Sequence, residues 1–305
     1  FWLNMEYFDF AVGDSMTNDK FAQLFGGLRR MPEAPITRRE FDLAASVQVV
    51  LEEVLLLIAA SLQRQTGKTN LCMSGGVALN CVANGKLLDA GIFHNIWVQP
   101  AASDSGSALG AALAGWHVHM AQPRHAPHGD SMKATLLGTA YADHAITDAL
   151  NKCGAVYTRT AEPTMLDKVA DLLDQGNVIG WFQDRMEFGP RALGSRSILG
   201  DARNSKMQSV MNIKIKNRES FRPFAPAVLA EHAQTWFKIR RASPYMLFVV
   251  GVHDTQRKTL TEHELQLTGL ERLKCERSSI PAVTHIDYSA RVQTVGAESD
   301  SRFRK

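Results

Sequence analysis

Three local patterns in the sequence predict an α/β protein. A short apolar run, NLCM at 70–73, is followed by the turn SGG and by a segment of helical character at 77–88. The same order of strand, small-residue loop and helix returns at 96–116, where IWV precedes PAASDSG. A third apolar run, VIGWF at 178–182, leads directly into a loop rich in arginine. Strands that alternate with helices in this way are typical of α/β folds.

The composition is that of a globular protein without a general affinity for nucleic acid. The chain has 305 residues, enough for two domains of ordinary size, and a net charge of +3 that matters only if it is concentrated locally. Its four cysteines form no C-x-x-C pair, which argues against a zinc site and a disulfide framework and favours the cytoplasm. The longest apolar run, 54–62, is about half of a membrane span. A start at Phe1 and an end in SDSRFRK predict a fragment of a longer protein.

One long helix is predicted for residues 37–65. The tetrapeptide TRRE at 37–40 has the spacing of a capping box between Thr37 and Glu40. Apolar side chains then recur every three or four residues, so we expect one face of this helix to belong to the core. The members of this face are Phe41, Ala44, Val47, Leu51, Val54, Leu55, Ile58 and Leu62. Gly67 is a suitable stop.

The other elements follow from apolar runs and from their glycine and proline stops. Helices are predicted at 77–88, 107–116, 164–175 and 204–212, and strands at 70–73, 96–98, 178–182 and 245–252. Residues 254–279 are charged and poor in glycine, which predicts a surface helix or an insertion. Residues 281–295 predict a strand, a turn and a second strand.

Two glycine-rich loops in the first half of the chain admit a functional and a structural interpretation. In SGGVALN at 74–80, Gly75 and Gly76 would let backbone N–H groups approach a phosphate, but a tight turn without a ligand explains them equally well. In SDSGSALGAA at 103–112, Asp104 could be a metal ligand or could cap the helix that follows. A single carboxylate does not make a metal site.

Residues 117–135 change in character and hold four of the ten histidines. These are His117, His119, His125 and His128. We interpret the segment as a linker or surface loop rather than a metal site, because the histidine spacings are irregular and prolines interrupt them.

Two basic loops in the second half of the chain predict an anion site. RMEFGPRALGSRSILGDAR at 185–203 carries Arg185, Arg191, Arg196 and Arg203, and KIKNRESFRPFAP at 214–226 carries Lys214, Lys216, Arg218 and Arg222. Guanidinium groups form bidentate pairs with phosphate and carboxylate. A groove for single-stranded nucleic acid is the alternative. Rigid glycine and proline turns and a nearly neutral chain favour a compact pocket for one small anion.

Five segments together resemble the nodulation-protein-U type O-carbamoyltransferases, the family that includes the antibiotic carbamoyltransferases. They are SGGVALNCVANGKL (74–87), ASDSGSALGAA (102–112), WFQDRMEFGPRALGSRSIL (181–199), NRESFRPFAPAV (217–228) and THIDYSARVQTV (284–295). The resemblance implies the C-terminal half of an actin/hexokinase-like ATPase domain followed by a YrdC-like α/β domain. We expect the actin/hexokinase-like part over residues 1–116, a linker over 117–160 and the YrdC-like domain over 161–305.

The resemblance also implies an activity and its residues. Such enzymes move a carbamoyl group from carbamoyl phosphate, through carbamoyl adenylate formed with ATP, to a hydroxyl of a small-molecule or sugar acceptor. The cofactors implied are ATP and a divalent metal, for which Fe²⁺ is preferred over Mg²⁺. Position by position, Gly75, Gly76 and Asn80 match the nucleotide loop, Asp104 the metal ligand, and Arg191, Lys216 and Arg222 the catalytic anion site, where Ser195 and Arg291 also bind carbamoyl phosphate. Arg185 and Arg196 are expected to brace the loop, and Arg203 to face solvent.

The chain also departs from this family, which leaves two other functions open. The family's pair of metal-binding histidines four residues apart is absent, since the chain has no H-x-x-x-H. One alternative is modification of tRNA of the N6-threonylcarbamoyladenosine type, for which a broad basic face and a steep salt dependence are expected. The other is a non-catalytic module that binds a nucleotide or an anion. We expect no membrane partner and no nucleic acid, and a homodimer stays an open prediction.

Overall fold

A computed structural model of the chain describes residues 2–31, 34–125, 129–297 and 301–305. Helices and short strands alternate through most of this length, which confirms the α/β class that the sequence predicts. The chain divides into two compact units, Phe1–Leu62 and Gln63–Lys305. The domain ranges 1–116, 117–160 and 161–305 remain predictions.

The regular elements are numbered here in chain order. The α-helices are α1 (Asp19–Leu24), α2 (Arg38–Thr66), α3 (Cys81–Asp89), α4 (Asp104–Ala114), α5 (Asp143–Lys152), α6 (Glu162–Asp174), α7 (Met207–Val210), α8 (Ala233–Trp236), α9 (Glu262–Gln266) and α10 (Ser301–Arg304). The strands are β1 (Asn70–Met73), β2 (Asn95–Val98), β3 (Ile179–Phe182), β4 (Arg196–Leu199), β5 (Ala227–Leu229), β6 (Val249–Gly251), β7 (Ser289–Arg291) and β8 (Gln293–Val295). Shorter helical turns lie at Met5–Tyr7, Gly76–Leu79, Gly115–His119, Lys133–Thr135, Met211–Ile215, Ala230–His232, Asp254–Gln256, Gly269–Lys274 and Pro281–Val283.

Helix α2 begins and ends close to its predicted bounds. Thr37 N–H donates to Glu40 Oε2 at 2.8 Å, and the Thr37 hydroxyl donates to the same oxygen at 2.6 Å. The helix therefore starts with one half of the predicted capping box, the half in which the glutamate accepts. After the last turn, Gly67 adopts φ +63° and donates to Gln63 O at 2.8 Å, which ends the helix as expected of a glycine.

The apolar face predicted for α2 is not a core face, and that prediction is wrong. None of its members is buried, and Val47 and Ile58 are 67% and 46% exposed. The buried residues of α2 are instead Glu52 and Ala59. The other elements described in the unit Phe1–Leu62 are a turn of 3 residues and a helix of 6, which are too short to cover a helix of 29.

Helix α2 also has the length and the composition of a membrane span. Among the residues that the structure describes, it is the one helix of this kind. One such helix is weak evidence for a membrane span, because core helices of other proteins and signal sequences share this length and composition. The expectation of no membrane partner, based on the short run 54–62, therefore stays a prediction.

In the unit Gln63–Lys305, the described strands form pairs. β1 and β2 are parallel, and so are β5 and β8. β3 is antiparallel to β4, and β6 is antiparallel to β7. Of the strand, turn and strand predicted for 281–295, the two strands lie at its end, where only Val292 separates β7 from β8 and each pairs with a different strand. Residues 281–283 form a helical turn rather than part of a strand.

Several predicted bounds shift for local reasons. The helix predicted at 77–88 begins at Cys81, because Asn80 Oδ1 accepts from Ala83 N–H at 3.1 Å and caps it there. Strand β4 was not predicted, since Arg196 and Ser197 hide it within a polar, arginine-rich stretch. The other shifted elements are the helix at 107–116, which starts at Asp104, the helix at 204–212, which is α7 followed by Met211–Ile215, and the strand at 245–252, which is confined to Val249–Gly251.

Helix α3 lies directly against β6, and a glycine makes this approach possible. A Cβ on Gly85 would lie 2.2 Å from Val249 O. The preceding Asn84 is fully buried, and its Nδ2 donates to Ala78 O at 2.8 Å and to Leu247 O at 3.0 Å. The contact fixes the start of α3 next to the main core, which contains Ala233, Phe237, Ile239, Val252, Ile280, Val283, Ala290 and Val292.

Candidate functional site

A cavity of about 860 Å³ in the unit Gln63–Lys305 is lined by basic residues from both predicted loops. Its wall includes the first residues of α3, the arginine-rich loop at 185–203, the loop at 214–226 and the β7–β8 segment. The cations in the wall from these segments are Arg191, Lys216, Arg218, Arg222 and Arg291. Segments more than a hundred residues apart in the chain thus meet at one site, as the contact between Arg191 and Leu79 illustrates.

The carboxylate of Glu187 shapes the arginine-rich loop from inside. Glu187 is 5% exposed, and its Oε1 accepts from Leu193 N–H at 2.6 Å and from Ser195 N–H at 2.8 Å. Its Oε2 lies 3.2 Å from Arg196 Nε, an ion pair without a well-aligned hydrogen bond. Arg196 Nη2 donates in turn to Gly189 O at 2.6 Å. Arg196 therefore braces the loop, as expected from the sequence.

Backbone contacts with earlier segments hold the same loop in place. Gly138 N–H donates to Met186 O at 2.9 Å, and Met186 N–H donates to Thr139 O at 3.0 Å. Gly189 adopts φ +129°, and a Cβ there would lie 3.2 Å from Ala101 Cα. The loop is therefore held between residues 138–139 on one side and Ala101 on the other. This leaves Arg191 little freedom to move out of the cavity.

Arg191 brings a positive charge to the cavity without a carboxylate beside it. Its Nη2 donates to Leu79 O at 3.4 Å, and its Nε is buried without a partner among the described residues. Burial lowers the pKa of Arg191, and the nearby charge of Arg291 lowers it further. A half-buried charge without a counterion is costly, so an anion bound here would be stabilising.

The second basic loop is built around the buried amide of Asn212. Its Nδ2 donates to Ser220 O at 3.1 Å and to Arg222 O at 2.8 Å. Its Oδ1 accepts from Arg218 Nε at 2.7 Å, and the Arg218 guanidinium lies over the ring of Phe224, 5.1 Å from its centroid. Burial lowers the pKa of Arg218, as do its neighbours Arg222 and Arg291. Arg218 is thus oriented by two contacts, although the sequence did not single it out.

The cavity contains most, but not all, of the residues predicted to bind carbamoyl phosphate. Arg191, Lys216, Arg222 and Arg291 line it; Lys216 is exposed, and Arg222 pairs with Glu219 at 3.0 Å. Ser195 does not line it. It is 3% exposed and lies in a separate pocket of about 20 Å³, because its backbone is tied to the buried Glu187 carboxylate.

The predicted nucleotide loop lies at the edge of this cavity. Gly75, Gly76 and Asn80 do not line it, whereas the next residue, Cys81, does. Gly75 has φ +91°, and a Cβ on Gly75 or Gly76 would meet nothing within 4 Å. The backbone of this turn therefore needs a glycine at position 75, and space beside it is open to a ligand.

Asn80 has a structural role that can be measured directly. Because its Oδ1 caps α3, Asn80→Ala should lower the free energy of unfolding by about 1 kcal/mol. Equilibrium urea denaturation monitored by circular dichroism checks this value. Asn80→Asp is the control, because it keeps an acceptor at the cap and should cost much less. Equal losses in the two variants would contradict the capping role.

Asp104 stands alone as a predicted metal ligand. It is exposed in the first turn of α4, and the N-cap Ser103 makes no side-chain capping bond. Within residues 2–31, 34–125, 129–297 and 301–305, no group of three or more His, Cys, Asp or Glu could hold a metal ion. His128 lies outside the described residues. The described residues therefore do not provide a ligand set around Asp104, which remains a prediction.

Comparison with protein families identifies the chain. Residues 1–113 match the model "Carbamoyltransferase N-terminus", and residues 170–305 match "Carbamoyltransferase C-terminus". The chain belongs to the carbamoyltransferase family. All four cavity residues that the resemblance assigned to the anion site lie within the C-terminal match, and Cys81 lies within the N-terminal one.

Individual relatives match most of the chain. A Synechocystis protein named "Uncharacterized protein sll1178" is 53% identical over 99% of this chain and 50% of its own length. "Nodulation protein NolO" of Bradyrhizobium diazoefficiens is 37% identical over 88% of this chain and 45% of its own length. "Nodulation protein U" of Sinorhizobium fredii is 33% identical over 86% of this chain and 41% of its own length. The chain spans half or less of the length of these relatives.

Three further residues in and beside this cavity were missed from the sequence. Glu187 shapes the arginine-rich loop, while His285 and Gln293 line the cavity. A signal for Gln293 existed in THIDYSARVQTV, where polar and apolar residues alternate from Ser289 to Gln293. Such alternation places the polar residues on one face of an extended segment.

Proposed function

We propose that this chain is part of an ATP-dependent O-carbamoyltransferase and that the cavity is its carbamoyl-phosphate site. The carbamoyl group would pass from carbamoyl phosphate, through carbamoyl adenylate, to a hydroxyl of a small-molecule or sugar acceptor. Membership of the carbamoyltransferase family supports carbamoyl transfer as the reaction. The finer architecture, an actin/hexokinase-like part followed by a YrdC-like domain, belongs to the same proposal.

The observation that carries the proposal is the set of unpaired cations. Among the described residues, Arg191, Lys216 and Arg291 line one cavity and make no ion pair. Each arrives from a different segment of the chain, so their convergence is a property of the fold. A phosphate group offers oxygens to all three, and guanidinium–phosphate bonds strengthen where water is excluded. A cavity of about 860 Å³ also has the size of a small-molecule site.

These side chains would bind and orient the donor rather than form a covalent bond with it. Arginine and lysine only donate hydrogen bonds, so they can hold the phosphate and offset the negative charge of the transition state. Cys81 and Val82, at the start of α3, bring the predicted nucleotide loop to the rim of the same cavity. This proximity supports ATP as the second substrate, with Gly75 and Gly76 beside its phosphates.

The remaining parts of the proposal concern the surroundings of the reaction. A divalent metal, Fe²⁺ or Mg²⁺, belongs to the activity expected of the family, but the described residues offer Asp104 alone, so no step is assigned to it. The acceptor is a molecule with a free hydroxyl. A cytoplasmic location is proposed from the cysteine usage, and a homodimer is part of the same proposal.

Binding of carbamoyl phosphate tests this function. Isothermal titration calorimetry should show binding to the wild type, and Arg191→Ala should weaken it about 10- to 150-fold, because a charge-assisted bond contributes about 1.5–3 kcal/mol. Arg222→Ala should weaken it less, since Arg222 is exposed and already pairs with Glu219. Arg203→Ala is the matched control: Arg203 lies on the same loop, pairs with Asp174 and Asp201, and does not line the cavity. Unchanged affinity in both test variants would contradict the site.

A further inference from the structure

A turn at residues 133–135 lies in the left-handed region of backbone conformation. Lys133, Ala134 and Thr135 adopt φ values of +49°, +53° and +63°, although none of them is glycine. This conformation is unfavourable because Cβ comes too close to the following carbonyl oxygen, and it suits a branched residue such as Thr135 least. Three such residues in succession persist only where their surroundings hold them, and strain of this kind concentrates at functional sites.

The carboxylate of Asp130 holds this turn. Its Oδ1 accepts from Met132 N–H at 3.0 Å, and its Oδ2 accepts from Ala134 N–H at 2.9 Å. The hydroxyl of the buried Tyr245 donates to the same Oδ2. Burial raises the pKa of Tyr245, and the bond to Asp130 raises it further, so the phenol keeps its proton and stays a donor. Both carboxylate oxygens therefore bond the turn, and the tyrosine fixes the carboxylate.

Tyr245 connects this carboxylate to the main core. The Ser243 hydroxyl, two residues earlier, donates to the carbonyl oxygen of the core residue Val292 at 2.9 Å. Leu247, two residues later, accepts from the buried Asn84 Nδ2 at 3.0 Å. The tyrosine and the carboxylate are 115 residues apart in the chain, so the tertiary structure brings them together.

The other side of the turn is bonded to the arginine-rich loop. Phe188 N–H donates to Thr135 O at 2.6 Å. Arg185 Nη1 donates to Gly138 O at 2.6 Å, beside the two backbone bonds that also join the loop to this segment. Residues 130–139 thus connect the main core to the loop.

These residues lie outside both family matches, which cover 1–113 and 170–305. A segment that only joined two domains would need neither a strained turn nor buried side chains, yet Met132 and Thr135 are buried. The contacts of the segment with the core and with the arginine-rich loop give it a role of its own.

We propose that residues 130–139 are a positioning segment, which Asp130 and Tyr245 hold against the core and which holds Arg191 in the cavity. The proposal rests on the proposed function, because it gives the segment a part in binding the phosphate at Arg191. Neither Asp130 nor Tyr245 lines the cavity, so both act through the loop. Such support matters because a displacement of about 1 Å has a large effect in a site of this kind.

Amide hydrogen exchange of the full chain, measured by NMR, tests the link from Tyr245 to the loop. Tyr245→Phe removes only the hydroxyl, and Asp130→Ala removes every bond of the carboxylate. The Phe188 N–H should exchange about tenfold faster in Tyr245→Phe and faster still in Asp130→Ala. Tyr157→Phe is the matched control, because its hydroxyl bonds Asn151 in an exposed position, and it should leave this rate unchanged. An unchanged rate in both test variants overturns the proposal.

A double-mutant cycle distinguishes positioning from a general loss of structure. In calorimetry, Tyr245→Phe should weaken binding of carbamoyl phosphate about fivefold. The same change should alter affinity less than about twofold when Arg191→Ala is already present, because no guanidinium is then left to position. Equal weakening in the two backgrounds would show that Tyr245 does not act through Arg191, and it overturns the proposal.

A glycine in the turn supplies a rescue. Glycine adopts the left-handed conformation without the steric cost, so it needs less help from the carboxylate. Ala134→Gly added to Asp130→Ala should therefore recover about threefold of the affinity that Asp130→Ala loses. The absence of any recovery contradicts the role of Asp130 in holding the turn. If Asp130→Ala does not fold, the milder Tyr245→Phe decides the proposal through the exchange rate and the cycle.

The two readouts separate this proposal from the proposed function. A wild type that does not bind carbamoyl phosphate refutes the proposed function. The exchange rate of the Phe188 N–H then decides whether the segment holds the loop: faster exchange in Tyr245→Phe supports it, and an unchanged rate overturns it. Binding in the wild type with unchanged exchange and unchanged affinity in Tyr245→Phe overturns the positioning segment alone.

Discussion

Glu187→Ala is expected to lower the free energy of unfolding by about 3–5 kcal/mol, because it breaks a buried network of charge-assisted bonds. The variant leaves the N–H groups of Leu193 and Ser195 without their acceptor, and it leaves Arg196 without its carboxylate. The expected loss is a lower midpoint in equilibrium urea denaturation with an unchanged slope. Because the same loop carries Arg191 into the cavity, affinity for carbamoyl phosphate should fall as well.

Two control variants set the scale of the stability loss expected for Glu187→Ala. Glu187→Gln keeps an oxygen that can accept from both backbone N–H groups, so its loss should be about half as large. Glu271→Ala removes a carboxylate from an exposed pair with Lys274 and should cost less than about 1 kcal/mol. A loss in Glu187→Ala as small as that in Glu271→Ala would mean that the loop keeps its shape without the buried carboxylate.

Gly85→Ala is the second substitution with a large expected effect. The added Cβ would lie 2.2 Å from Val249 O, a distance that real Cβ contacts do not reach, and the atom that blocks it is backbone. Helix α3 and strand β6 would have to separate. We expect a loss of about 3 kcal/mol in the free energy of unfolding, at the upper end of overpacking effects in cores. Urea denaturation measures it.

Gly110→Ala is the matched control for this substitution. Gly110 also lies inside a helix, α4, but a Cβ there would meet nothing within 4 Å. Alanine is the better helix former, so Gly110→Ala should be neutral or stabilise the protein by up to about 1 kcal/mol. Opposite signs for the two variants would show that close packing, and not helix propensity, demands glycine at position 85. Stabilisation by both would contradict the contact between α3 and β6.

The outcome of each sequence prediction depended on whether its physical cause was local. Strands at 70–73, 96–98 and 178–182 were predicted correctly to within a residue, because short apolar runs next to glycine loops are a local signal. Strand β4 was missed because its first two residues, Arg196 and Ser197, are polar and make it resemble a loop. The face of α2 was predicted as core from its periodicity, but periodicity does not say whether another element covers it.

The residues of the candidate site also include some that the sequence predicted and some that it missed. Arg191, Lys216, Arg222 and Arg291 were named from the sequence, and all four line the cavity. Ser195 was named too, yet its neighbour Glu187 holds it in a different pocket. Arg218 was passed over because nothing nearby in the sequence shows that Asn212 and Phe224 orient it.

By itself, the sequence determined the α/β class and the two basic loops, because apolar runs and glycine or proline turns act over a few residues. The family followed from the resemblance of five motifs. Only the tertiary structure decided which of those cations meet, and that His285 and Gln293 belong to the wall of the same cavity. The physical reason is that such a site depends on hydrogen bonds between distant segments, such as the one from Gln293 to Leu193, 100 residues away in the chain. No local pattern records where those segments will meet.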